Sequence, residues 1–122
     1  MSAVITKPVQ LHRHFFGNCI IYGSQTEEIA LDTAHAKPGN FTYYFEICDL
    51  STQRSVSDPL HYSSNILQTS PGFNNTSIDD YSIVPSGSVR NAGNDTVCFD
   101  NHYPLDISGN PRSCASTLGA YQ

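Results

Sequence analysis

Residues 40–50 read NFTYYFEICDL. Phe41, Tyr43, Phe45 and Ile47 alternate with Thr42, Tyr44, Glu46 and Cys48. Period-two alternation of aromatic and β-branched residues predicts a strand with one face buried. Outward from it, the same signal recurs. Val9, Leu11, Arg13 and Phe15 alternate with Gln10, His12, His14 and Phe16, and Asn18–Tyr22 lies between Gly17 and Gly23. Ile78–Val84 is closed by Pro85-Ser86-Gly87, and Thr96–Phe99 is entered through Gly93-Asn94-Asp95. Leu60–Leu67 is a weaker sixth candidate, and Gln68–Thr76, with Pro71-Gly72 and Asn74-Asn75, reads as a loop. Strands punctuated in this way predict a mainly β fold, an antiparallel sandwich or partly open barrel. One or two short helices are expected within it. Ser24-Gln25-Thr26-Glu27 fits a capping box ahead of Ile29, Ala30, Leu31, Ala34 and Ala36, and Lys37-Pro38-Gly39 reads as a stop. Pro111–Leu118, after Asn110, is the second candidate. No internal repeat is evident in the sequence.

The chain of 122 residues fits one domain, residues 1–122. Charged residues make up only 14%, and polarity comes instead from 15 Ser, 9 Thr and 9 Asn. Six basic and eleven acidic residues give a net charge of −5 without basic clustering, which argues against a nucleic-acid partner. No apolar run approaches the ~18 residues of a membrane span. Residues 1–10, MSAVITKPVQ, lack the apolar core of a signal peptide. Two features nonetheless favour an outer location. Cysteines number four, an even count compatible with disulfides, and Asn40, Asn74, Asn75 and Asn94 each begin an N-x-S/T glycosylation sequon.

The cysteines form no CxxC pair, which argues against a zinc ribbon or a thioredoxin site. Cys98 and Cys114 enclose a short turn-rich loop and are expected to bond to each other, leaving Cys19 to pair with Cys48. Four such residues allow three connectivities. His12 and His14 share one face of a predicted strand but lack recognisable third and fourth ligands, so no metal or other cofactor is expected. No G-x-S-x-G elbow and no phosphate-cradling glycine loop occurs. Tyr is abundant, with seven residues, and offers an apolar body with a polar tip suited to contact surfaces. Tyr43, Tyr44, Tyr62 and Tyr81 are the binding candidates. The sequence therefore points to a non-enzymatic binding or assembly module at a cell, particle or extracellular surface. Its partner would be a protein, a glycan or a second copy. A small secreted enzyme with a His and carboxylate site is the alternative.

Overall fold

The computed structural model describes residues 11–31, 41–93, 104–113 and 116–122. Its strands are β1 (Leu11–Gly17), β2 (Ile20–Ile21), β3 (Phe41–Glu46), β4 (Asp49–Leu50), β5 (Tyr62–Ser63), β6 (Ile66–Leu67), β7 (Phe73–Asn75) and β8 (Asp80–Ile83). A 3₁₀ turn, Thr76–Ile78, joins the last two. The fold is mainly β. Its strands do not form the expected antiparallel sandwich or barrel. β1, β3 and β5 form one parallel sheet, and β2, β4 and β6 form another. Among the described strands β7 and β8 pair antiparallel, with Phe73 opposite Ile83 and Asn75 opposite Asp80.

Successive passes of the chain therefore lie on one another as rungs. Each rung is a strand, a two-residue corner and a second strand. Phe16, Phe45 and Tyr62 stand in register on the first sheet, and Ile20, Asp49 and Ile66 on the second. The corners turn at Asn18, Ile47 and Ser64, whose φ values are 54°, 51° and 54°. Left-handed backbone is uncommon outside glycine and costly for a β-branched residue such as Ile47. This corner is why residues 40–50 are two short strands rather than one long one. Asn65 reinforces the corner stack. Its Oδ1 accepts from the Cys48 amide at 2.9 Å, and its Nδ2 donates to the Phe45 carbonyl at 3.0 Å. A parallel stack needs long connections rather than tight hairpins, and β2 ends 20 residues before β3 begins while β4 ends 12 before β5.

The rungs also constitute a repeat that the sequence hides. Phe16-Gly17-Asn18-Cys19-Ile20-Ile21, Phe45-Glu46-Ile47-Cys48-Asp49-Leu50 and Tyr62-Ser63-Ser64-Asn65-Ile66-Leu67 align position by position. From Phe16 to Phe45 is 29 residues but from Phe45 to Tyr62 only 17, so no fixed period betrays them.

Two apolar cores result. Ile29, Phe45, Cys48, Leu50 and Tyr62 form the first, with Ile21, Leu31, Tyr43 and Val56 against it. Phe45 and Tyr62 in it continue a column onto the partly exposed Phe16, with centroids 4.7 Å (Phe16–Phe45) and 5.8 Å (Phe45–Tyr62) apart and planes within 12°. The second core joins Ile83, Val89 and Leu118 to Ile20, Ile47, Ile66 and Phe73. The two cores lie on opposite faces of the second sheet, Ile21 and Leu50 in one and Ile20 and Ile66 in the other, as a short parallel sheet requires.

The helix expected from Ser24 does not form across residues 24–31. Glu27 is engaged elsewhere: its carboxylate accepts from the Ile29 amide, the Thr52 hydroxyl and the Gln53 amide at 3.0, 3.0 and 3.1 Å. The Glu28 amide donates to the Ser51 carbonyl at 2.8 Å, which ties this crossover to the next rung. Nor are the described residues of 111–118 helical; Pro111 instead bridges to Leu105. The expected strand at 96–99 and residues 32–36 of the first helix candidate lie outside the described residues. β7 arises inside the stretch read as a loop.

Candidate functional site

Among the described residues, a crevice of about 540 Å³ lies between the rungs and the β7–β8 hairpin. Tyr22, Gly23 and Ser24, which follow β2, line one part of it; Ser70, Phe73, Thr76 and Tyr81 line the rest. Phe73 and Tyr81 meet edge to face, 5.3 Å between centroids at 89°. Tyr81 is 44% exposed, and its hydroxyl reaches the Asp79 carboxylate at 3.5 Å. Ser24, Ser70 and Thr76 are exposed. Among the described residues the lining thus holds three aromatic rings, three Ser and Thr hydroxyls and no charged residue.

Local sequence explains why the hairpin holds this shape. Asn75 caps the 3₁₀ turn by accepting from the Ser77 amide at 3.1 Å, and Asp79 leaves it in left-handed backbone at φ 57°. Asp80 then accepts from the Ser82 hydroxyl and the Asn74 side-chain amide, both at 2.6 Å, and from the Ser82 amide at 3.1 Å. These bonds, the Ser82 hydroxyl foremost, hold its carboxyl below the ordinary aspartate range. Gly72 anchors the base of the hairpin: its φ is +85°, and a Cβ there would lie 2.5 Å from the Gly87 Cα.

A second, apolar hollow of about 330 Å³ lies at the first rung. Phe16, Ile21, Ile29, Ala30 and Leu31 line it beside Tyr43 and Phe45, and His14 and Glu28 are its polar members. The Glu28 carboxylate accepts from the Gln25 amide at 2.8 Å.

The four tyrosines singled out from the sequence are dispersed. Tyr43 packs on the first core and stacks on the His61 ring, 4.0 Å between centroids, while His61 Nδ1 lies 2.9 Å from the Tyr43 carbonyl. Tyr44 faces the other way and stacks on Phe15 at 6.0 Å. Tyr62 is buried at 7% exposure within the aromatic column, so its ring presents no contact surface. Its hydroxyl pKa is pushed up to about 12, mainly by that burial. Tyr81 lines the crevice, and Tyr43 borders the apolar hollow. Tyr22 and Phe73 were not singled out; Tyr22 follows a strand directly, and Phe73 sits in the supposed loop.

Of the sequon residues, Asn74 and Asn75 are exposed on the hairpin, and Asn40 and Asn94 lie outside the described residues. Cys98 and Cys114 also lie outside them, as does the His12 side chain; His14 is exposed. Cys19 and Cys48 are both thiols and stand side by side on successive corners. Among the described residues, no three His, Cys, Asp or Glu side chains cluster as metal ligands. Asp49 is fully buried on the second sheet, and neither carboxylate oxygen has a hydrogen-bond partner among the described residues. Burial pushes its pKa up to about 6.

No family model, curated protein or solved structure matches the chain.

Proposed function

We propose that the protein is a non-enzymatic binding module that takes a neutral glycan in the crevice of Tyr22, Phe73 and Tyr81. The observation that carries this reading is the lining itself: the exposed ring of Tyr81 and the half-buried rings of Tyr22 and Phe73 beside serine and threonine hydroxyls, with no charge among the described lining residues. Aromatic faces pack on the C–H faces of a sugar ring, and hydroxyls match sugar hydroxyls as both donors and acceptors. The volume falls within the usual range for small-molecule sites, about 300–1,000 Å³. The low charge of the whole chain and the two exposed sequon residues support placing such a module at an outer surface.

A second reading, a protein partner, is favoured by β1. Among the described residues it is an edge strand, paired only with β3, and it carries Phe15 at 55% and Phe16 at 37% exposure. Such an edge accepts an added strand from a partner or from a second copy.

Calorimetric titration with neutral disaccharides (cellobiose, lactose and maltose) separates the two. At least one should bind, and Tyr81→Ser should weaken it tenfold or more while thermal unfolding stays nearly unchanged. If none binds, or if Tyr81→Ser and Tyr22→Ser bind like the unaltered protein, the glycan reading is wrong.

A further inference from the structure

We propose that Cys19 and Cys48 form a reactive dithiol that a low-molecular-weight organic disulfide, of the glutathione disulfide class, converts into a bond between the first two rungs. The argument begins with register. Ile20 pairs with Asp49, so the residues just before them, Cys19 and Cys48, occupy equivalent corners of adjacent parallel rungs. The Asp49 amide donates to the Cys19 carbonyl at 2.9 Å, which holds those corners together. Adjacent parallel strands lie about 4.8 Å apart, inside the ~4.4–6.8 Å Cα separation that a disulfide spans. On the third rung the same corner position is Asn65, whose side chain bonds back to the rung before it. The two cysteines thus stand where the stack otherwise uses a side-chain tie.

Their surroundings divide the roles. Cys19 is half-buried on the outermost described rung, and Cys48 is fully buried beneath it. The Cys48 thiol beside it brings Cys19 down to about 7, against the opposing effect of burial, and the same contact together with burial pushes Cys48 up. Thiolate is the attacking species, so Cys19 reacts first.

The Cys19 thiolate attacks one sulfur of the organic disulfide and expels one thiolate, leaving a mixed disulfide on Cys19. The Cys48 thiol then gives its proton to the expelled thiolate or to water. Its sulfur attacks the Cys19 sulfur and releases the second small thiol. Two protein thiols are oxidised by two electrons, and one organic disulfide is reduced to two thiols. A small dithiol reductant reverses the reaction.

The test uses the full chain with Cys98→Ser and Cys114→Ser, incubated with glutathione disulfide at neutral pH, then alkylated and weighed. The expected product has lost the mass of two hydrogen atoms, carries no glutathione and takes up no alkylating agent until reduced. Adding Cys48→Ala should stop the reaction at the glutathione adduct. Peptide mapping of the unaltered protein gives a second reading that is independent of these substitutions, and should recover a Cys19–Cys48 crosslinked peptide. Two free thiols after incubation, a persistent glutathione adduct with Cys48 intact, or mapping that joins Cys19 only to Cys98 or Cys114 would overturn the proposal.

Discussion

Asp49→Asn probes the least expected feature of the packing. In the row Ile20, Asp49, Ile66, an acid stands between two isoleucines on a face that packs against Ile83, Val89 and Leu118. Burial lifts its pKa from 3.8 to about 6. Each unit corresponds to about 1.4 kcal/mol, so ionised Asp49 destabilises the fold by roughly 3 kcal/mol relative to its protonated form. The sign follows from proton counting. Between about pH 4 and pH 6 the folded state holds this proton and the unfolded state has lost it, so stability falls as pH rises and levels off above about 6. Asparagine removes that slope, at a cost of about 1–3 kcal/mol for burying an amide without partners. Urea unfolding at several pH values from 4 to 8, followed by circular dichroism, measures both proteins. Every other ionisable group is common to both proteins, so the difference between the two profiles isolates Asp49. The asparagine variant should be the less stable near pH 4 and should gain about 3 kcal/mol relative to the unaltered protein by pH 7. Parallel profiles would refute the reasoning, because they would mean that Asp49 does not titrate differently in the folded state.

Other positions give simpler tests. Asn65→Ala leaves the Cys48 amide and the Phe45 carbonyl without its side chain, and should cost about 1–3 kcal/mol in urea unfolding. Phe45→Ala, in the middle of the aromatic column at 3% exposure, should cost about 3–5 kcal/mol. Gly119→Ala should destabilise the docked C-terminal segment by at least about 1 kcal/mol, because φ is +82° and the added Cβ falls 2.9 Å from Ile20 Cδ1. Asp106 feels opposed effects. Its partial desolvation raises the pKa, but the Gln122 and Asn110 amides that donate to its carboxylate prevail and bring it down to about 2. Its stabilising contribution is complete above about pH 4 and is lost as pH falls through about 2. Hydrogen exchange at the Gln122 amide should therefore accelerate over that interval, and Asp106→Asn should flatten the change.

What the sequence discloses and what it conceals differ in physical kind. The alternation in Phe41–Glu46 is a local property and is legible, because period two needs no knowledge of the partner strand. Pairing direction is not local: the same alternation serves a hairpin or a rung, and only the crossovers distinguish them. The corner at Ile47 is invisible because its left-handed backbone falls on a residue type that disfavours it. Ser24 and Glu27 carry a sound local helix signal, yet tertiary bonds to Thr52 and Gln53 take over the Glu27 carboxylate. β7 is hidden because Pro71-Gly72 and Asn74-Asn75 bracket Phe73 with turn formers. At the site, Tyr81 was legible as a strand tyrosine. Its company of Tyr22, Phe73, Ser24, Ser70 and Thr76 was not, since the crevice joins segments about 50 residues apart through contacts that no local pattern encodes.

The most direct test of the binding account is to follow the ring protons of Tyr22, Phe73 and Tyr81 by NMR while neutral disaccharides are added. The account predicts saturable shifts at these three rings, with little change at Phe15, Tyr44 or the buried Tyr62. Saturable shifts centred on Phe15 and Tyr44 with these three rings silent, or hydrolysis of an added sugar, would contradict it.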